Sequence, residues 1–257
     1  MINNRKKGSA EKEMSIDRVA VKNRAKNLVR TARPSMLTAA LLLVLLGAVI
    51  NWLSSRLVGL TANQVSTMLE NYQAGNMAAA YSVVERSSPS SMELLLDQLL
   101  QLAFQIIGVG FTIFVVNTVR QTGPVYGNLL DGFTMMPRLL FLLILRYIFI
   151  VLWSLLFIVP GIIAAYKYRF AVYLMIDHPE WSALDCLRES KRMTQGYKGQ
   201  LFVLDLSFLL WLILCELPVI GYAAQIYVTP YKEAAHVYYY EIVKADELGR
   251  EGFSYNV

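Results

Sequence analysis

The sequence predicts an all-α, polytopic membrane protein: a bundle of about six transmembrane helices, with basic amphipathic helices at the membrane surface. Of the 257 residues, 56% are hydrophobic and only 17% are charged, whereas a soluble domain has roughly 25% charged residues. The apolar residues form blocks close to the ~20 residues that a helix needs to cross a bilayer. The period-two alternation of transmembrane strands is absent.

The first 35 residues predict a basic amphipathic helix. Between residues 15 and 32 the apolar side chains fall near one helical face, and cations occupy most of the remaining surface. Such a helix lies in the membrane interface and binds anionic headgroups, each cation adding about 1 kcal/mol at low salt. A charged leader that only sets topology explains the pattern equally well, and both interpretations stay open. The expected headgroup contacts here are Arg18, Lys22, Arg24, Lys26 and Arg30.

The remaining chain predicts a transmembrane domain over residues 36–243. Residues 54–91 are expected to form an outer loop, residues 179–196 a cytoplasmic amphipathic helix, and residues 244–257 a cytoplasmic tail. The predicted spans are about 36–53, 92–116, 139–159, 162–176, 201–216 and 219–243.

The cations predict the orientation of these spans. The first 35 residues carry ten Lys and Arg, whereas the loop at 54–91 has only Arg56 and Arg86. By the positive-inside rule the N-terminus is cytoplasmic and this loop lies outside. An even number of spans then returns the C-terminus to the cytoplasm.

Pro160-Gly161 interrupts a long apolar run and permits either a kink or a turn. A continuous helix from Leu139 to Ile176 would measure about 57 Å, roughly twice the hydrocarbon thickness. A single crossing would also place the cations of the next segment outside, against the positive-inside rule. We therefore predict a helical hairpin with its outer turn at Pro160-Gly161. The cations that it keeps inside, which are further expected headgroup contacts, are Arg188, Lys191, Arg192 and Lys198.

Four features of the chain occur together: the basic N-terminal helix, "IVPGIIAAYKYRFAVYLMIDHPE", "ALDCLRESKRMTQGYKGQLFVLDLSFLLWLIL" and "TPYKEAAHVYYYEI". With this combination the chain resembles a family of bacterial membrane proteins known as domain-of-unknown-function family 975. The resemblance covers nearly the whole chain and is most specific from Pro160 to Glu241. An S-K-x-x-x-x-G-x-K-like element is matched at Ser190, Lys191, Gly196 and Lys198. "CELPVIG" departs from the family, which has threonine and glycines there. The resemblance implies a multi-pass protein, largely of Gram-positive bacteria, and supplies no activity.

Six charged residues within the predicted spans are singled out as candidate pairs, and counting residues from the turns sorts these six into two layers. They are Asp97, Arg146, Lys167, Arg169, Asp205 and Glu216. Arg146 is expected to pair with Asp205 near the cytoplasmic side, and Lys167 or Arg169 to meet Asp97 or Glu216 in an outer layer. Unpaired charges near the bilayer centre cost at least about 2.5 to 3.5 kcal/mol, which favours pairing. The pairs either fasten the bundle or form a ligand site, and the sequence leaves both open. Three glutamines, Gln98, Gln101 and Gln105, share one helical face that we expect to point into the bundle.

Motifs of catalysis are missing from the sequence: it has no P-loop, nucleophile elbow or H-E-x-x-H pattern. Cys186 and Cys215 have no metal-ligand spacing, so neither a metal nor another cofactor is expected. We predict a non-enzymatic protein of the bacterial inner membrane, acting as a scaffold or accessory component that engages anionic lipid or a membrane protein partner, and not nucleic acid. The alternatives are a small transporter that uses the intramembrane charges and, after it, a lipid-modifying enzyme.

Overall fold

The computed structural model describes residues 16–60, 62–86, 88–217 and 220–254. Within these ranges the chain forms twelve α-helices and one 3-10 helix (Tyr126–Phe133), without strands. The α-helices are α1 (Arg18–Thr31), α2 (Met36–Val58), α3 (Ala62–Gln73), α4 (Met77–Arg86), α5 (Ser91–Arg120), α6 (Met136–Leu156), α7 (Ile158–Lys167), α8 (Ala171–Asp177), α9 (Ala183–Met193), α10 (Lys198–Leu206), α11 (Leu209–Cys215) and α12 (Ile220–Ser254).

Three helices are long and apolar enough to cross a membrane, namely α2, α5 and α6. A fourth candidate arises if α10 and α11, which meet at a bend of 48°, form one broken span. The predicted count of about six is therefore not confirmed. The span expected at 162–176 is divided between α7 and α8, and α12 carries Lys232, Glu233 and Glu241 among its apolar residues. The all-α class is confirmed by the residues that the structure describes.

Several boundaries differ from the expected ones. The segment 54–91, expected to be an outer loop, contains α3 and α4, and α2 continues past Leu53 through a polar turn to Val58. Ser90 and Glu93 form a capping box that starts α5. The segment after residue 243 is helical as far as Ser254 and belongs to α12. Pro218, which lies between the predicted spans 201–216 and 219–243, is outside the described residues.

The chain reverses direction at Phe157, whose backbone is extended between α6 and α7. The Phe149 and Tyr168 rings then meet at 5.7 Å, and Lys167 Nζ lies 4.7 Å from the centre of the Trp153 ring. A hairpin therefore forms, but not at Pro160-Gly161, which lies in the first turn of α7. Proline suits that position because the first N–H groups of a helix have no partner within it.

Gly161 belongs to the contact between the two arms of this hairpin. A Cβ atom at this glycine would collide with Ser154 of α6. Pro160 therefore suits the start of α7, and Gly161 allows α7 to pack closely on α6. Neither residue forms the turn, which lies at Phe157.

The central helix of the bundle is α12, which packs against α1, α2, α5 and α11. The α5 helix packs closely against the 3-10 helix. A Cβ atom at Gly110 of α5 would collide with the Leu129 carbonyl oxygen.

Arg138 at the start of α6 donates to the Pro179 carbonyl, just before α9. The residue Ser35, which follows α1, donates from its N–H to Tyr126 of the 3-10 helix, so α1 lies near the end of α5. We call the end of the bundle that contains α1, the end of α5, the start of α6, α9 and the end of α12 the basic end.

Candidate functional site

A break between α7 and α8 places Arg169 in the interior of the bundle. Ser190 of α9 closes this break, because its hydroxyl donates to the Lys167 carbonyl at 2.9 Å and accepts from the Phe170 N–H at 3.1 Å. Thr194 Oγ1 also lies 3.3 Å from the Lys167 carbonyl. Backbone groups inside an apolar bundle need such partners when a helix is interrupted. Ser190 and Thr194 are fully buried, so this part of α9 is not a solvated face.

A second break, at Ser207 and Phe208 between α10 and α11, is closed by Lys22 of α1. Its Nζ lies 3.3 Å from the Ser207 carbonyl and 3.1 Å from Ser207 Oγ, and 4.6 Å from the centre of the Phe208 ring. Lys22 was expected to contact lipid headgroups. The structure corrects this prediction, because Lys22 turns towards the protein and satisfies an interrupted helix.

The two breaks lie on either side of a polar cluster around Asp205. Tyr166 donates to Asp205 Oδ2 at 3.0 Å, and His236 Nε2 lies 2.8 Å from Asp205 Oδ1. Arg169 lies 3.8 Å from the same oxygen, and Lys232 lies 4.0 Å from it. Tyr166 and Arg169 come from one broken helix and Asp205 from the other, so the cluster joins them to α12.

His236 is fully buried within this cluster and sits between a cation and a carboxylate. The Arg169 guanidinium lies 3.2 Å from Nδ1 and 3.0 Å from Nε2. A guanidinium can only donate, so the imidazole must offer an acceptor nitrogen and be neutral. Nε2 lies 2.8 Å from Asp205 Oδ1, an oxygen that is buried without a hydrogen bond among the described residues.

A cavity of about 300 Å³ lies beside the cluster, between α5, α6, α8 and α12. Glu233 lies in its wall and accepts hydrogen bonds from Thr112 at 2.9 Å and from Tyr173 at 3.1 Å. Arg146 and Arg169 bring two guanidinium groups to the same wall. Gln105 and Gly108 of α5 also line this cavity.

The expected pair of Arg146 and Asp205 does not form, because Arg169 takes the place that Arg146 was predicted to fill. Arg146 stands eleven residues before Phe157 and Arg169 twelve after it, so both lie about 16 to 18 Å from the reversal. Placing the turn at Pro160-Gly161 made Arg169 appear too shallow to reach Asp205. Within the described chain Arg146 has no hydrogen bond or ion pair.

The expected outer layer of pairs does not form either. Lys167 lies against Trp153, and Glu216 lines a separate cavity of about 500 Å³ beside α2 and α5. Asp97 Oδ1 is buried without a hydrogen-bond partner among the residues that the structure describes. Of the six charges singled out in the sequence, the structure brings together Arg169 and Asp205, and places Arg146 beside them. Of the three glutamines expected to point into the bundle, Gln98 is exposed, Gln101 donates to Ser54 of α2, and Gln105 is exposed at the wall of the cavity.

At the basic end, Asp177 ties α8 to α5 and α12, a role that the sequence analysis missed. Its carboxylate receives Arg120 at 2.6 and 3.1 Å, Tyr240 at 2.8 Å and Lys244 at 2.5 Å. Arg120 Nε also donates to Glu241 at 2.7 Å. Burial alone raises the pKa of Asp177, but the hydrogen bonds from its three partners outweigh burial and hold this pKa below its usual value. The only sequence signal was position, since Arg120 and Asp177 each end an apolar run.

The exposed cations of the basic helices differ in their partners. On α1 the apolar face is buried against the bundle through Val21, Ala25 and Val29. On α9, Arg188 pairs with Asp185, Arg192 pairs with Glu189 and Glu247, and Lys191 is exposed. Lys198, the first residue of α10, is half-buried. The exposed cations of α1, which form no hydrogen bond or ion pair in the described chain, are Arg18, Arg24, Lys26 and Arg30.

Neither cysteine nor any acidic cluster forms a recognisable chemical centre in the described part of the chain. No group of three or more His, Cys, Asp or Glu side chains in it is arranged to hold a metal ion. Cys186 is buried in α9, and burial raises the pKa of its thiol to about 11. This thiol is therefore protonated at neutral pH and a poor nucleophile.

Part of the chain matches a family of known proteins. Residues 157–247, from the α6–α7 reversal to the last third of α12, match a family described as "Protein of unknown function (DUF975)". This range contains both helix breaks, Ser190, Asp205 and His236. No curated protein and no solved structure matches the chain.

Proposed function

We propose that this chain, which belongs to the DUF975 family, is a non-enzymatic accessory protein of the bacterial inner membrane that engages anionic lipid headgroups at its basic end. In this proposal it crosses the bilayer six times and has both termini in the cytoplasm. Four crossings are α2, α5, α6 and α12. The other two are the broken helices α7–α8 and α10–α11.

The hairpins support six crossings. The reversal at Phe157 returns the chain through α7 and α8 to Asp177, beside Arg120 at the end of α5. The α11 and α12 helices form a second antiparallel pair, in which the Trp211 and Tyr227 rings lie 6.2 Å apart. Crossings made of short helices escape recognition by length but satisfy their backbone through Ser190 and Lys22.

The observation that carries the lipid proposal is the orientation of α1. Its apolar face is used in packing on α12, so its exposed cations project away from the protein. At a membrane surface four such cations attract anionic headgroups, each contributing about 1 kcal/mol at low salt. This attraction falls with ionic strength because exposed charges are screened.

A non-enzymatic role is supported by the surroundings of the reactive residue types. Ser190 is followed by Lys191, but its hydroxyl is fully buried and is engaged by the α7–α8 break. The Cys186 thiol is protonated, as noted above. The His236 imidazole is held between Arg169 and Asp205.

The test compares lipid selection by matched variants of α1. Four substitutions, Arg18→Gln, Arg24→Gln, Lys26→Gln and Arg30→Gln, remove the exposed charges. The control is Asn23→Gln with Asn27→Gln, on the exposed side of the same helix. Each protein is reconstituted in equimolar phosphatidylglycerol and phosphatidylcholine and extracted in mild detergent, and retained lipids are counted by mass spectrometry. We expect phosphatidylglycerol enrichment to fall several-fold in the charge variant alone; a ratio equal to that of the control would refute the proposal.

The cavity beside Arg146 favours a second function, that of a small transporter. A transport pathway requires water to reach the cavity from one side of the membrane. In a chain whose native cysteines are replaced by alanine, Gln105→Cys should then react with a membrane-impermeant maleimide from one side. A packed accessory protein would leave this position unlabelled.

A further inference from the structure

We propose that the cavity beside Arg146 binds one phosphate-type anion in the interior of the bundle. The cavity lies between α5, α6, α8 and α12 and measures about 300 Å³. Arg146, Arg169 and Glu233 line it, so guanidinium groups outnumber carboxylates in the wall. This site is separate from the exposed cations of α1, and either proposal can fail without the other.

The main evidence for a ligand is that Arg146 has no hydrogen-bond or ion-pair partner among the described residues. It lies halfway along α6, one of the three helices that are long and apolar enough to cross a membrane. A guanidinium has five N–H donors, and Arg146 has no partner for them among the described residues. A cation at such depth costs at least about 2.5 to 3.5 kcal/mol without a counter-charge.

The neighbouring carboxylates lie closer to other groups than to Arg146. Asp205 Oδ2 accepts from Tyr166, and Oδ1, which has no hydrogen bond among the described residues, lies within 4.0 Å of His236, Arg169 and Lys232. Glu233 accepts from Thr112 and Tyr173. With His236 neutral, three cations face two carboxylates, so the cluster holds one uncompensated positive charge. These groups are Arg146, Arg169 and Lys232 against Asp205 and Glu233.

The arrangement of the donors favours a tetrahedral anion. Arg146 approaches from α6 and Arg169 from the α7–α8 break, so the two guanidinium groups come from different directions. A phosphate presents oxygens on several sides and accepts bidentate hydrogen bonds from each arginine. Gln105 adds an amide donor in the same wall. The phosphate belongs either to a lipid headgroup or to a free anion, and both present the same oxygens.

Two variants isolate the site. Arg146→Gln removes the unpaired charge without breaking an ion pair, and Arg56→Gln, whose guanidinium lies over the Trp52 ring, is its control. Gly108→Leu fills the cavity, because a Cβ atom there meets nothing within 4 Å. Gly199→Leu is the matched control, since Gly199 has equally open space but lies in α10, outside the cavity wall.

The experiment measures thermal unfolding of the full chain in mild detergent against two probes. One is inorganic phosphate, compared with chloride at equal ionic strength, and the other is monomeric dihexanoyl phosphatidylglycerol. A ligand of the folded state raises the melting temperature saturably. We expect one probe to do so for the wild type and both controls, with apparent affinity at least roughly tenfold weaker in Arg146→Gln and Gly108→Leu.

The outcomes separate the sources of the anion. Stabilisation by inorganic phosphate supports a free anion, and stabilisation by the lipid alone supports a headgroup. The inference is overturned if neither probe stabilises the wild type, or if Arg146→Gln responds like Arg56→Gln. Loss of charge on α1 should leave the Arg146-dependent response intact, so this result is independent of the proposed function.

Discussion

Ser190 satisfies both sides of the α7–α8 break with one hydroxyl group. It donates to a carbonyl that has lost its helical partner and accepts from an N–H that has no helical acceptor. A buried backbone group without a partner costs about 1 to 3 kcal/mol. The position of Arg169, and through it the polar cluster, therefore depends on a serine in another helix.

We expect Ser190→Ala to lower the free energy of unfolding by about 1 to 3 kcal/mol, because the Phe170 N–H loses its acceptor. Denaturant unfolding in detergent measures the effect. Ser55→Ala is the control, since Ser55 is exposed and donates only to Trp52 in its own helix. Equal stabilities of the two variants would show that Ser190 does not hold the break.

Asp177 makes the stability of the protein sensitive to acid. Its pKa in the folded state lies below the usual value of about 3.9. Its contribution to stability is therefore complete above about pH 4 and is lost as the pH falls through the lowered pKa. Neutral conditions retain the interactions with Arg120, Tyr240 and Lys244.

Asp177→Asn should lower the free energy of unfolding at pH 7 by about 3 kcal/mol, because partly buried cations lose their carboxylate. The variant should also lose stability less steeply than the wild type below pH 4. Unfolding curves between pH 3 and 7 measure both effects, with Glu70→Gln on the exposed side of α3 as control. A wild-type acid slope in Asp177→Asn would contradict this assignment.

At the scale of elements, each broken helix is completed by a basic helix from elsewhere in the chain. Ser190 of α9 closes the first break, and Lys22 of α1 closes the second. The basic helices therefore do more than carry exposed charge. They satisfy the interrupted backbone of α7–α8 and α10–α11 near Arg169 and Asp205.

The contact between α5 and the 3-10 helix requires glycine at position 110. We expect Gly110→Ala to destabilise the protein by about 1 to 3 kcal/mol, because its Cβ would collide with the Leu129 carbonyl oxygen. Gly108→Ala, two residues away in open space, should be neutral or slightly stabilising, since alanine favours helix. Thermal unfolding measures the stability of the two variants. A similar loss of stability in both would contradict the close contact between α5 and the 3-10 helix.

At the scale of the whole molecule, apolar blocks were sufficient to predict α2, α5 and α6. They were insufficient for the broken helices, because Tyr168–Phe170 and Ser207–Phe208 contain neither proline nor glycine and look helical. Residues distant in sequence, Ser190 and Lys22, satisfy the backbone at these breaks. The turn was predicted at Pro160-Gly161 because these residues usually interrupt helices, whereas the chain reverses at Phe157.

The error of a few residues at this turn also explains the candidate site. A depth counted from Pro160-Gly161 paired Arg146 with Asp205 and sent Arg169 outwards. Counted from Phe157, both arginines reach the same level. The sign and the approximate depth of the buried charges were thus predictable from the sequence. Which arginine lies beside Asp205 was not, because it depends on the position of a turn that the local sequence does not reveal.

Single-cysteine labelling tests most directly whether the protein forms the proposed bundle of six crossings with two broken helices. Phe157→Cys and Leu217→Cys mark the two proposed outer turns, and Gln121→Cys and Lys191→Cys mark the basic end; all four positions are exposed. Cys186 and Cys215 are replaced by alanine in every variant. We predict that an impermeant maleimide labels the first pair on intact cells and the second pair only after permeabilisation. Labelling of Phe157→Cys and Lys191→Cys from the same side would contradict the six-crossing bundle.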